Sequence, residues 1–112
     1  MSEIRQGEVW LARLGAAKAG ELGKNRRCVV LTNSALITGA KWNPVTVVPL
    51  SATAVPSPLR PKVVEAGGRE SFAMCDFVQS VTPTRLLERL GALTPEQMRR
   101  VATAVANVIA SD

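Results

Sequence analysis

The 112-residue chain contains no histidine and no tyrosine, and it has only two cysteines. Without histidine, a Ser-His-Asp triad, a histidine general base and nearly all zinc sites are excluded. Neither a GxGxxG nor a P-loop pattern occurs, so the sequence predicts no nucleotide cofactor. No apolar run approaches the roughly 20 residues that span a bilayer. The first ten residues include two glutamates and do not resemble a secretory signal. We therefore expect a cytoplasmic protein without a metal site, a cofactor or a membrane contact.

The basic residues are concentrated in the first half of the chain. Up to Lys62 there are nine basic residues and three glutamates, whereas the remainder has five basic and six acidic residues. A basic half suits a polyanion such as nucleic acid, or an acidic protein partner. A solvated basic surface that aids solubility explains the charge equally well.

Short apolar and β-branched segments predict a series of strands. These segments are 8–14, 27–32, 45–50, 62–64 and 71–78. The glycine-containing stretch from Gly15 to Asn25 predicts a long mobile loop between the first two strands. Pro49 removes a ladder donor, which places that point of the third strand at an edge or a bulge.

The C-terminal part changes to a helical period. The segment 82–91 predicts a short helix that begins at Thr82-Pro83, carries three leucines and ends at Gly91. A second helix begins at Thr94, which can cap it, while the side chain of Gln97 can reach back to the cap amide. Its apolar stripe consists of Met98, Val101, Ala102, Val105 and Ile109. Strands followed by helices predict one α+β domain over residues 1–112, with a curled antiparallel sheet and a terminal helix.

Several side chains within the predicted strands allow a structural interpretation. Cys28 and Cys75 fit no metal-ligand spacing, and we expect buried, reduced thiols. Trp10 is expected in the core rather than on a surface that stacks bases. Asp76 is the one acidic residue in its strand, and we expect it to anchor a loop through backbone amides rather than to take part in catalysis.

Five short motifs occur in an order that characterises one known family. They are 7–10 (Gly-Glu-Val-Trp), Glu21 followed five residues later by Arg26, 47–51 (Val-Val-Pro-Leu-Ser), 75–81 (Cys-Asp-Phe-Val-Gln-Ser-Val) and the leucine-rich 86–93. From about Arg5 to about Ile109 the chain resembles the MazF/PemK toxins of bacterial type II toxin–antitoxin pairs. The resemblance implies a CcdB/PemK-like fold, a small barrel-like antiparallel sheet with a short helix and a C-terminal helix.

Three positions depart from the family pattern. Arg27 stands where the family has proline, so two adjacent arginines compete for one role. Phe77 and Gln79 replace the family's glutamine and arginine, and the segment 19–20 is Ala-Gly instead of Gly-Ser. These departures affect the expected RNA sequence preference and leave the predicted fold intact.

The resemblance implies a sequence-specific, metal-independent endoribonuclease that cleaves single-stranded RNA by attack of the ribose 2′-hydroxyl, a group that DNA lacks. Arg26 and Ser51 match the family's catalytic arginine and Thr/Ser. Arginine offers fixed donors for two phosphoryl oxygens. The candidate RNA-binding residues are Lys24, Arg27, Trp42 and Lys41.

The implied partners are single-stranded RNA, an antitoxin with an acidic disordered segment, and a second copy of the chain in a homodimer. Two other functions stay open. A CcdB-like toxin binds DNA gyrase and cleaves no RNA, and a decayed toxin only binds its antitoxin. The pair of Arg26 and Ser51 favours cleavage, because a gyrase-binding protein needs neither residue.

Overall fold

The computed structural model describes residues 3–15, 24–38, 40 and 42–109. In this part of the chain, antiparallel strands form one curled sheet that is followed by an α-helix. The strands are β1 Glu8–Arg13, β2 Asn25–Val30, β3 Val45–Ser51, β4 Lys62–Val64, β5 Glu70–Ala73, β6 Gln79–Val81 and β7 Leu86–Ala92. The helix is α1 Pro95–Ile109, and short 3-10 turns span Ser34–Leu36, Cys75–Phe77 and Pro83–Arg85. The predicted α+β class is confirmed.

The strands are ordered β4-β5-β3-β2-β1-β7 across the sheet, and β6 pairs with β3 beyond the end of β5. Side chains alternate between the two faces of each strand. One face, which we call the helix face, packs against α1. The opposite face, which we call the outer face, carries its own apolar cluster.

Both faces bury valine-rich layers, which explains the nearly continuous apolar runs of β2 and β3. The buried residues of the helix-face cluster are Val9, Val29, Val48, Leu50, Val63, Ala73, Cys75, Leu93, Val101, Ala104 and Val105. Those of the outer-face cluster are Trp10, Ala12, Cys28, Val30, Val45, Val47, Val81 and Leu86. Within the described residues, no helix has both the length and the apolar character to cross a bilayer.

The start of α1 agrees with the sequence in part. Thr94 caps the helix, since its Oγ1 accepts a hydrogen bond of 3.2 Å from the amide of Gln97. The expected return of the Gln97 side chain to the cap amide is wrong. Its amide group bonds both backbone groups of Val64 at the edge of β4, donating to the carbonyl at 3.2 Å and accepting from the N–H. The helix thereby holds β4 in place.

The helix expected over 82–91 is wrong. Only Pro83–Arg85 forms a 3-10 turn, and the leucine-rich segment after it is strand β7. β7 pairs antiparallel with β1, and the register shifts twice, where β7 has one extra residue, Leu90 and then Leu87, between consecutive partners on β1. These pairings supply the backbone hydrogen bonds that the expected helix would have made internally.

The predicted strand over 71–78 is interrupted. β5 and β6 both pair with β3, and the turn Cys75–Phe77 lies between them. Pro49 accepts a hydrogen bond from the amide of Met74 at this interruption. Because β3 is an interior strand, the alternative of an edge for Pro49 is wrong. Its missing donor faces the break in the ladder.

Candidate RNA-cleavage site

The β2–β3 register brings Arg26 and Ser51 to the same level of the sheet. The recorded pairs end with Cys28 opposite Pro49. Arg26 and Ser51 each lie two residues beyond this last pair, and the alternation of side chains places both on the outer face with Cys28 and Pro49. Residues directly opposite in an antiparallel pair share a face. The two side chains predicted as catalytic therefore share the outer face, near the same end of the neighbouring strands β2 and β3.

The surroundings of Arg26 keep its guanidinium accessible. Its neighbour on β1 is Ala12, whose methyl group occupies little space. No carboxylate within residues 3–15, 24–38, 40 and 42–109 forms an ion pair with Arg26. Burial raises the pKa of the Cys28 thiol to about 12, and the positive charge of Arg26 opposes this shift. Arg26 and Cys28 are two residues apart on β2 and therefore share the outer face.

The hydroxyl of Ser51 lies at the end of β3 and contacts Thr53. Its oxygen accepts a hydrogen bond of 3.2 Å from the amide of Thr53, an arrangement that fixes the strand end. The hydroxyl of Thr53 lies 3.4 Å away and can act as donor or acceptor. Ser51 can therefore donate to an oxygen atom that approaches from the outer face.

Arg27 points to the helix face and is held by an acidic partner. Its Nε donates to Oε1 of Glu65 at 2.8 Å, and the Glu65 side chain is only 3% exposed. The hydroxyl of Ser71 donates to the other carboxylate oxygen. A second arginine at the family's proline position is thus accommodated by a buried carboxylate. The structure separates Arg27 from Arg26 and Ser51.

The remaining candidates lie in different places. Lys24, the first described residue after position 15, is exposed near Arg26 and has a positive φ of 61°. Trp42 is 77% exposed, but it lies beyond the opposite end of β3. The six residue steps from Val45 to Ser51 correspond to about 20 Å of strand. Lys41 and most of the loop predicted to be mobile (16–23, including Glu21) lie outside the described residues.

Asp76 anchors a loop, although not through the loop's backbone amides. Arg60 donates to both carboxylate oxygens, from Nε at 3.2 Å and from Nη2 at 2.8 Å. These hydrogen bonds lower the pKa of Asp76 below its usual value of 3.8 although partial burial opposes the shift. The Arg60 guanidinium also lies over the Phe77 ring, 6.0 Å from its centre. The segment between β3 and β4 is thereby fastened to the turn Cys75–Phe77.

The core assignments of the sequence are confirmed. Trp10 is buried in the outer-face cluster, and its indole N–H donates to Oε1 of Glu8 at 3.1 Å. Burial opposes the charged form of Glu8, but hydrogen bonds from Arg89, from the amide of Arg5 and from Trp10 lower its pKa overall. Both cysteines are free and buried, and burial raises the pKa of the Cys75 thiol to about 11.

Sequence reasoning did not identify the partners of the arginines. Glu65 follows a three-residue strand and precedes Gly67-Gly68, a position typical of an exposed turn. Arg60 lies in the proline-containing segment between β3 and β4. No local pattern joins Arg27 to Glu65 or Arg60 to Asp76, because both pairs form only when distant strands assemble.

Comparison with known proteins places the chain in a family. Residues 5–109 match the family described as PemK-like, MazF-like toxin of type II toxin-antitoxin system. MazF from Deinococcus radiodurans superimposes with a TM-score of 0.84 at 15% identity, covering 99% of this chain and 100% of the other. A mycobacterial endoribonuclease in complex with its cognate antitoxin superimposes with a TM-score of 0.78 at 19% identity, and the match covers 96% of each chain. The Mycobacterium tuberculosis toxin MazF-mt6 superimposes with a TM-score of 0.73 at 23% identity, and the match covers 94% of this chain and 98% of the other. With a family match over nearly its whole length and a fold shared with these toxins, the chain belongs to the PemK/MazF family of toxin–antitoxin toxins.

Proposed function

We propose that this toxin is an endoribonuclease that cleaves single-stranded RNA without a metal ion. The observation that carries the proposal is that Arg26 and Ser51 share the outer face near the same end of β2 and β3, with no carboxylate of the described residues paired to the arginine. The next residue of β2, Arg27, is instead bound to Glu65 on the helix face. One arginine of the pair is thus available for a phosphate.

The reaction that suits this pair is transesterification within the RNA chain. The 2′-oxygen forms a bond to the phosphorus, and the bond between the phosphorus and the 5′-oxygen breaks. The 2′-hydroxyl loses one proton and the departing 5′-oxygen gains one, so the products carry a 2′,3′-cyclic phosphate and a 5′-hydroxyl. Arg26 stabilises the charge on the pentacoordinate phosphorus, because an arginine side chain stays positively charged at neutral pH and is a poor base. Ser51 donates to a phosphoryl oxygen.

Incubation of the purified toxin with a long RNA of mixed sequence in EDTA tests the proposal. We expect fragments with 5′-hydroxyl ends, and resistance of a substrate that carries 2′-deoxyribose at the cut site. Intact RNA would contradict the proposal. It would favour a toxin that binds DNA gyrase or one that retains only antitoxin binding.

We further propose the partners that the family implies. They are an antitoxin with an acidic, initially disordered segment and a second copy of the chain. The mycobacterial relative in complex with its cognate antitoxin supports the first of these. Cytoplasmic location is part of the same proposal, since RNA and antitoxin are found there.

A further inference from the structure

The row of side chains that contains Arg26 and Ser51 continues across two more strands. On β5, Phe72 lies opposite Ser51, and on β4, Lys62 lies opposite Phe72. All four therefore share the outer face, in the order Arg26, Ser51, Phe72, Lys62. Neighbouring strands are about 4.8 Å apart, so Phe72 lies within reach of a nucleotide whose phosphate is held by Ser51.

Phe72 is not used by the core of the described structure. It belongs to neither of the two apolar clusters and stays partly exposed, whereas its β5 neighbours Ser71 and Ala73 are buried on the helix face. The chain has only one other phenylalanine, Phe77, and the guanidinium of Arg60 lies over its ring. A partly exposed aromatic ring next to the proposed phosphate-binding pair matches the arrangement by which proteins stack single-stranded bases.

We propose that Phe72 stacks a base of the nucleotide next to the cleaved bond and that Lys62 binds the following phosphate. The inference rests on the proposed ribonuclease function and adds the direction of the RNA. The RNA chain crosses the sheet at right angles to the β-strands, from Arg26 on β2 over β3 and β5 to β4. Trp42, at the far end of β3, does not contact the cleaved dinucleotide of the same subunit.

Lys62 has a competing partner that the proposal must accommodate. Its ammonium group lies 3.1 Å from a carboxylate oxygen of Glu70, and the two side chains are 53% and 64% exposed. An exposed ion pair of this kind contributes little to stability. A phosphate can therefore replace Glu70 as the partner of Lys62, and Glu70 weakens RNA binding in the wild-type protein.

The test compares variants that keep the shape of the row. Once the cut site has been mapped, an RNA oligonucleotide with 2′-deoxyribose at that site measures binding without cleavage. We expect F72L to weaken binding by about 10-fold, because leucine retains the apolar volume and loses the stacking surface. We expect F72W to bind within about twofold of wild type. W42A removes the exposed aromatic ring outside the row and serves as the rival variant, and it should weaken binding less than F72L does.

Two further readouts separate stacking from a structural role. With 2-aminopurine placed in turn at the positions flanking the cut, wild type should quench the fluorescence strongly at one position, and F72L should lose that quenching alone. K62M should reduce the slope of log affinity against log salt by about one. E70Q should strengthen binding. Thermal unfolding should be alike for all of these variants.

The outcomes distinguish this inference from the function on which it rests. If wild type cleaves RNA and F72L binds, quenches and cleaves as wild type does, the stacking role is wrong and the ribonuclease stands. If W42A rather than F72L loses the quenching, the RNA follows another course. If wild type neither binds nor cleaves RNA, both proposals fail.

Discussion

At the scale of single residues, the adjacent arginines of β2 show how one strand separates two roles. Successive side chains of a strand point to opposite faces, so Arg26 lies beside Ser51 while Arg27 meets Glu65 on the helix face. The charge of Arg27 is neutralised by the buried carboxylate of Glu65. The charge of Arg26 is available to stabilise the negative charge that builds up on a phosphate during cleavage.

We expect R26A to lower the rate of RNA cleavage by at least about 100-fold, the typical loss when one preorganised donor is removed. Since the side chain has no acidic partner among the described residues, the free energy of unfolding should change by less than about 1 kcal/mol. Initial rates on a mapped RNA substrate and thermal unfolding measure the two effects.

The matched control for this variant is R13A. Arg13 lies at the same end of the sheet, opposite Asn25, and it is exposed on the other face. R13A should cleave RNA as wild type does. Equal activity of R26A and wild type would show that Arg26 has no part in the reaction.

R27A should act on stability rather than directly on the chemistry. Its removal leaves the buried carboxylate of Glu65 with Ser71 as its one remaining side-chain donor among the described residues. We expect a loss of about 1–3 kcal/mol in the free energy of unfolding, less than for a fully buried pair because Arg27 is partly exposed. Replacing Glu65 as well, in R27A/E65Q, should recover much of the loss. Denaturant curves measure both, and an R27A variant as stable as wild type would contradict this account.

At the scale of elements, the pair of Arg60 and Asp76 determines how firmly the segment after β3 is attached. Ser51 stands at the start of that segment, and Asp76 lies in the turn between β5 and β6. The attachment therefore supports the strand end that carries a proposed catalytic hydroxyl.

The contribution of Asp76 to stability should depend on pH. Its folded-state pKa lies below the usual 3.8, so the unfolded state binds the proton more tightly. The stabilisation is therefore complete above the unfolded pKa and is lost as the pH falls through the lower, folded pKa. We expect D76N to unfold at a lower temperature than wild type at pH 6. The gap should narrow as the pH approaches 3, and thermal scans over this range measure it. A gap that is constant with pH would contradict the assignment.

Gly91 allows β7 to pass close to the β4–β5 turn. Its φ is +148°, a conformation that side-chain-bearing residues rarely adopt, and a Cβ at this position would lie 2.7 Å from that of Ala66. We expect G91A to lower the free energy of unfolding by about 1–3 kcal/mol. The double variant G91A/A66G should recover the part due to the clash, because only the backbone strain then remains. Denaturant unfolding of the three proteins separates the two terms.

The sequence predicted some elements better than others for identifiable reasons. The strands β1 to β3 and the Thr94-capped helix follow from local patterns, and their existence is confirmed. The spacing of Leu86, Leu87 and Leu90 equally suits a helical turn, and only the pairing with β1 makes this segment a strand. Likewise, no local pattern sets Phe72 opposite Ser51, since that relation arises from the register of β5 on β3.

The site was predictable from family motifs rather than from local chemistry. Arg26 and Ser51 are ordinary residues at strand ends, and the motifs singled them out. Their common face became evident only from the register of two strands that are distant in sequence. Trp42 precedes β3 and Ser51 ends it, so the length of β3 separates the two residues. The sequence predicted that strand, but only the structure shows that Arg26 lies at the Ser51 end of it.

At the scale of the whole molecule, the net charge of +5 favours an acidic partner. We expect the antitoxin to lay an acidic segment across the outer face near Lys24 and Arg26 and to compete with RNA there, whereas Arg27 is already bound to Glu65 on the helix face. Affinity should fall as salt increases, and R26A should reduce both the affinity and the salt dependence. Calorimetric titration at several salt concentrations measures this, and affinity that is independent of salt would contradict the electrostatic model.

The contacts between α1 and β4 also affect whether the edge of the sheet can pair with another molecule at high concentration. Exposed strand edges act as templates for uncontrolled sheet extension and fibre growth. Here Gln97 occupies the backbone N–H and carbonyl of Val64, and Arg100 donates to the carbonyl of Lys62 at 3.1 Å. Helix side chains thus take the place of a further strand and block that edge. We expect loss of Gln97 to expose the backbone N–H and carbonyl of Val64 to other chains. The same residue thus holds β4 to the helix and limits aggregation through this edge.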